Sequence, residues 1–373
     1  MPGNSSLNNT TPPPIRYCRI GGAGVGGAVA LVDMVYLVYR MTRIEYDRTF
    51  TSIQSYLKKY LNKSQLRKDH HDKNAYVTNA FSQIGFQEIR IRSASWGHYS
   101  IEVRLRPKLT IDKEGYYSLA KVSEFDWVRD VFNFVLKDTL SLKVPDFFEW
   151  TAKRIEAAVD INLQEALIPQ YLSLFKRGFI PDYFMDNDKT KKYFSEITNC
   201  YLMSENKTVN WYNRYETLLI KEGKSKKKWV DFSQTKGLFR FETQVRNGKE
   251  TVKEVLSKQR LKHEVMKFYK LIVGEGDYHT LKCAEQIINQ RVQNFKKRQT
   301  LITMLKFIEH CGGITKAKEI FVNSNENTKM SSDRFGKMLK KLRDLNINPV
   351  LIPEEWGIDF IENPYAKIEE EFE

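Results

Sequence analysis

Apolar and polar positions change their rhythm near residue 245. Before that point, runs of period two are interleaved with runs of period 3.6, the signature of strands mixed with helices. Val32-Asp-Met-Val-Tyr-Leu-Val-Tyr39 alternates as a first strand. Arg48 to Asn62 places Phe50, Ile53, Tyr56, Leu57 and Tyr60 at helical spacing. Phe86–Arg92 and Tyr99–Arg106 alternate around a short connection and predict a β-hairpin. Its second strand turns Ile101, Val103 and Leu105 inward and Glu102, Arg104 and Arg106 outward. Glu124 to Thr139 predicts an amphipathic helix, and Pro145 and Asp146 then break the chain. Lys153–Asn162, Lys207–Asn213 and Gly237–Val245 predict three further strands, with helices at Leu163–Arg177 and Tyr215–Glu222.

After Val245 the pattern is helical, at Lys249–Lys270, Tyr278–Phe295, Thr300–His310 and Ser331–Leu345, with Ser331-Ser332-Asp333 expected as an N-cap. The fold class is therefore α+β: an antiparallel sheet with packed helices over 32–245, followed by a mainly helical module over 246–373. Residues 1–31 form a polar and glycine-rich leader, expected to be disordered or upstream of the true start at Val32 or Met34. Gly22, Gly24 and Gly27 satisfy a dinucleotide fingerprint, but no run of βα units follows Glu45. Asp33 and five glycines weaken a membrane-anchor reading of residues 19–39.

Composition adds a partner class. The 373 residues carry 60 Lys and Arg against 46 Asp and Glu, a net charge of +14, which favours a polyanion such as nucleic acid. The four cysteines are far apart and fit reduced thiols rather than a zinc site. The adjacent His70 and His71 would face opposite ways on a strand and read as a solvated turn.

Three predicted strands also carry groups that could do chemistry. Arg154, Glu156 and Asp160 share one face, Arg240 and Glu242 share another, and Tyr212 shares a third with Asn210 and Arg214. If the strands are neighbours, carboxylates supply hard oxygen ligands for Mg²⁺ or Mn²⁺, arginines hold a phosphate, and a tyrosine can attack phosphorus. Arg90, Arg92, Arg104, Arg106, Arg154 and Arg214 are candidate DNA contacts on the sheet, and Lys337, Lys340 and Lys341 on the last long helix.

These segments resemble a known family. Arg154-Ile-Glu156-Ala-Ala-Val-Asp160 resembles the Arg-Ile-Asp segment of the replication initiators of filamentous phages and their plasmid relatives. Val209-Asn-Trp-Tyr212-Asn-Arg-Tyr-Glu216 is similar to the segment with their nucleophilic tyrosine, and Leu238-Phe-Arg240-Phe-Glu242 to their Arg-Phe-Glu strand. The resemblance runs from Val32 to Val245, and more weakly from Cys311 to Pro364. Glu156 stands where the family usually has Asp, and Arg214 where a Lys often follows the tyrosine.

The resemblance implies a metal-dependent DNA nicking and closing enzyme that initiates rolling-circle replication in a bacterial host cytoplasm. It implies that Glu156, Asp160 and Glu242 hold the metal and that Arg240 orders the phosphate. It implies Tyr212 as the nucleophile, with Tyr201 and Tyr215 as alternatives. The partners are then double- and single-stranded origin DNA and the host replication machinery, with no membrane and no small-molecule cofactor. A non-catalytic DNA-binding replication or regulatory protein is the alternative.

Overall fold

The computed structural model describes residues 31–61, 66–94, 97–113, 115, 117–186, 199–223, 232–324 and 328–372. The glycine fingerprint of the leader and the basic run Lys224–Lys228 lie outside these residues. The chain is α+β, with a large antiparallel sheet and packed helices followed by a mainly helical C-terminal region.

The sheet contains β1 (Leu31–Met41), β2 (Arg67–Lys68), β3 (Ala75–Thr78), β4 (Phe86–Ser93), β5 (Tyr99–Leu105), β6 (Ala120–Lys121), β7 (Thr151–Asn162), β8 (Met185–Asp186), β9 (Asn199–Met203), β10 (Lys207–Asn213) and β11 (Leu238–Arg246). Its order is β2-β3-β4-β5-β1-β7-β11-β10-β9-β8, with β6 paired to the start of β1. The leading strand and the three strands of the expected motifs thus stand in the order β1-β7-β11-β10.

By internal contacts the chain divides into two units. One comprises the chain up to Ala157 together with Val245–Leu261, the other Ala158–Gln244 with Lys262–Glu373. In the first unit, β5 is hydrogen-bonded to both β4 and β1, and Ile101, Val103 and Leu105 are fully buried. The helix Arg43–Tyr60 starts earlier than its apolar spacing suggests. Thr42 and Glu45 form a capping box, which satisfies the free amides at its start. The helix Phe125–Asn133 continues into a π-helical turn, Phe134–Thr139, and Phe132 meets Phe147 and Trp150 edge-on. The segment after β11 returns to this unit, where Val252 N donates to Trp150 O at 2.9 Å.

The second unit is built on an aromatic core. Phe175, on the helix Ile168–Lys176, packs against Trp211, Phe239, Tyr269 and Tyr278. Burying rings of this size is the main source of stability such a module has. Gly178 allows a close backbone approach, because a Cβ there would stand 2.1 Å from Ile272 O.

Several local expectations change. Arg106 ends the hairpin at the N-cap position of the short helix Pro107–Ile111 and is buried, as is Glu102, so neither faces solvent. The expected helix Lys249–Lys270 is two helices, Val252–Val255 and Lys258–Ile272. Tyr278 lies in a two-residue strand, and the following helix is Leu281–Arg291. The last long helix begins at Thr328, so Ser331 is a buried interior residue rather than its cap. Cys200, Cys283 and Cys311 are free thiols.

Candidate functional site

Glu156 and Glu242 alternate with apolar residues on their strands. On β11, Phe239 and Phe241 enter the aromatic core, which leaves Arg240 and Glu242 to the other face. On β7, a strand with neighbours on both sides, Ile155–Val159 are all buried, and Glu156 is only 3% exposed. Asp33 on β1 is 5% exposed and Glu242 is 4% exposed.

Asp33, Glu156 and Glu242 form a buried acidic triad. One carboxylate oxygen from each lies within 4.8 Å of the others. Three acids this close repel one another when ionised, and burial strengthens that repulsion. A divalent cation offsets it, and an all-carboxylate donor set suits a hard cation. The triad is capable of holding a divalent metal ion.

The groups around these acids are specific. Arg154 donates to Glu156. Gln244 Nε2 donates to Glu242 Oε1 at 2.7 Å. The Tyr212 hydroxyl donates to Glu242 Oε2 at 3.3 Å, and Arg214 Nη1 donates to the Tyr212 oxygen at 3.4 Å. Tyr212 and Arg214 are both buried. A phenol that touches both a carboxylate of the triad and a guanidinium has a proton acceptor on one side and a positive charge on the other.

The carboxylate group differs from the expected one in one member. Asp160 forms a bidentate ion pair with Arg240, Oδ1 to Nε and Oδ2 to Nη2, both at 2.6 Å. Arg240 is fully buried, so Asp160 acts as its counter-ion, and Asp33 supplies the third acid. Asp33 left a signal in the sequence, a lone acid inside an apolar strand. By sequence alone that residue counted only against a membrane span.

The other candidates are spread out. Tyr201 lies on β9 opposite Asn210. Tyr215 lies on the helix Arg214–Gly223, with its ring tilted against Phe232 and beneath Lys236. On the sheet of the first unit, Arg90 pairs with Asp69 and Glu88, and Arg92 with Asp72. The turn holding His70 and His71 is braced by Asp69 and Asp72, whose side chains accept backbone amides. Arg104 is exposed, and Lys337, Lys340 and Lys341 form an exposed basic face on the helix Thr328–Asp344. Among the described residues, no helix is long and apolar enough to cross a membrane. Comparison with family models, curated proteins and solved structures returns no match.

Proposed function

We propose that this chain is a DNA nicking and closing enzyme that initiates rolling-circle replication through a phosphotyrosine intermediate. The observation that carries this reading is the hydrogen bond from Tyr212 to Glu242, one of the three clustered acids. The order of the three sequence segments and the net charge of +14 agree with it.

Asp33, Glu156 and Glu242 would hold Mg²⁺ or Mn²⁺, which when bound supplies Lewis-acid stabilisation of charge on the phosphodiester. Glu242 Oε2 aims the Tyr212 phenol and is the first acceptor for its proton. The Tyr212 oxygen forms a bond to phosphorus and the bond from phosphorus to the 3′ oxygen breaks. Solvent protonates the departing oxygen to a 3′-OH, and the 5′ phosphate stays on Tyr212. Arg214 supplies positive charge beside the attacking oxygen, and Arg154 fixes the carboxylate of Glu156. Reversal of the same step, with a 3′-OH as nucleophile, closes a circle.

The test is relaxation of supercoiled origin DNA in Mn²⁺ by the parent and by Tyr212→Phe. The parent nicks, and the variant loses at least about a thousandfold in rate, as expected when a nucleophile is removed. Nicking retained by Tyr212→Phe and lost by Tyr201→Phe or Tyr215→Phe would reassign the nucleophile. No nicking by the parent, with origin binding intact, would leave a DNA-binding protein without this chemistry.

A further inference from the structure

A groove of about 490 Å³ lies wholly within the second unit, and cations from three helices line it. Lys267 and Lys270 come from the helix Lys258–Ile272, Lys318 from Ile314–Asn323 and Arg343 from Thr328–Asp344. Phe179 and Phe335 complete the apolar part of the wall. Lys267 and Lys270 are exposed, and Lys318 and Arg343 are half-buried. Lys270 pairs with Glu275 at 3.1 Å, and Lys318 sits 4.7 Å from the centre of the Phe179 ring.

Arg343 is the most telling of the four. Its Nε is buried and has no hydrogen-bond partner, a costly state for a charged donor. Burial also pulls its guanidinium down from the ordinary arginine value. Arg343 lines the groove, so an anion seated there would meet its positive charge and offset the cost of burying it. Phosphates can bridge the lysines and arginine while the half-exposed Phe179 offers a ring to a base, the combination used for single strands. The volume of about 490 Å³ falls in the range of clefts that take a small ligand, about the size of a nucleotide.

We infer that this groove binds single-stranded DNA through its phosphates, an assignment that rests on the nicking reading, in which one strand is displaced.

Gly336 provides a test that spares the fold. It lines the groove, and a Cβ there would meet nothing within 4 Å. A larger residue at this helical position also removes the cost of glycine in a helix. Binding of a labelled oligothymidylate to the full chain is followed by fluorescence anisotropy across a salt series. Gly336→Glu and Lys318→Glu are expected to weaken binding by about tenfold or more and to flatten its salt dependence, whereas Gly336→Lys binds at least as tightly as the parent.

A blunt-ended duplex of the same length should be affected by less than about twofold. Binding of the oligothymidylate unchanged by Gly336→Glu overturns the proposal. So does an equal loss for the duplex, or a groove that takes an acidic peptide in preference to the oligothymidylate. Tyr212→Phe should bind the oligothymidylate like the parent. Failure of the nicking chemistry therefore shows up in relaxation assays, and failure of the groove in anisotropy.

Discussion

Among the described residues, Tyr36 and Tyr212 each donate to a buried glutamate, one in each unit, and the glutamates keep different company. Tyr36 on β1 donates to Glu102 Oε2. The Lys153 ammonium stands 3.8 Å from the other oxygen of Glu102 and 5.3 Å from the centre of the Tyr36 ring. Burial, and then the adjacent Glu102 charge, push the Tyr36 phenol well above its ordinary value and keep it protonated. Tyr212 on β10 donates to Glu242, which belongs to the acidic triad. A tyrosine bonded to a carboxylate is therefore no mark of a nucleophile by itself. The Glu102 carboxylate is balanced by a lysine of the chain, whereas the clustering of Glu242 with two more acids invites an ion from solution.

The contrast is sharpest in activity. On the proposed nicking reading, Glu242→Gln should lower Mn²⁺-dependent nicking by at least about a hundredfold, because it would weaken both the proposed metal site and the proposed acceptor for the Tyr212 proton. Tyr36→Phe should leave the rate within about twofold of the parent, since it removes no group from the reacting centre. A comparable rate loss in both variants, with both still folded by circular dichroism, would erase the distinction.

Stability in the presence of metal gives the next largest difference. At about a hundred times its dissociation constant, Mn²⁺ should stabilise the parent by about 2.7 kcal/mol. Asp33→Asn, Glu156→Gln and Glu242→Gln should each lose most of that gain in thermal unfolding, and each should unfold at a higher temperature than the metal-free parent through relief of carboxylate repulsion. Tyr36→Phe should keep the whole metal response.

Without metal, Tyr36→Phe is the costly change. It deprives the buried Glu102 of a hydrogen bond and should destabilise the protein by about 1–3 kcal/mol in urea unfolding. A neutral result would mean that Lys153 and Ser100, the latter at 3.5 Å, satisfy Glu102 alone.

The last effect appears only at alkaline pH. Tyr171 is pushed up from 10.0 to about 12 by burial, and Tyr269 and Tyr278 are raised by burial as well. A raised folded value means the unfolded chain loses the proton first. The stability is therefore complete below pH 10 and falls as pH rises through about 12. Tyr171→Phe should flatten urea stability against pH in that window by about 1–3 kcal/mol.

Much of this architecture was legible from alternation alone. β4, β5, β7, β10 and β11 fall on the predicted runs, because a strand with one face in a core must repeat every second residue. Glu156, Glu242 and Tyr212 were visible as polar groups opposite aromatic or aliphatic partners on those strands. Asp160 illustrates what alternation omits. It shares the expected parity with Glu156, yet the neighbouring strand presents the buried Arg240, and the pair closes on itself. Asp33 and Arg106 illustrate the same gap, since their roles depend on strand order and on where the chain turns after β5. Helix starts such as Thr42 were legible in hindsight as a Thr-x-x-Glu box.

The proposed nicking reaction is tested most directly by the identity of the residue left joined to DNA. A suicide oligonucleotide carrying the origin nick site is incubated with the protein and Mn²⁺, the adduct is digested, and the modified peptide is sequenced by mass spectrometry. A 5′-phosphate linked to Tyr212 is the expected product, with none on Tyr36. An adduct on another tyrosine, or cleavage that leaves no protein on the DNA, would contradict the role of Tyr212 as nucleophile and of the acids beside it as its metal site.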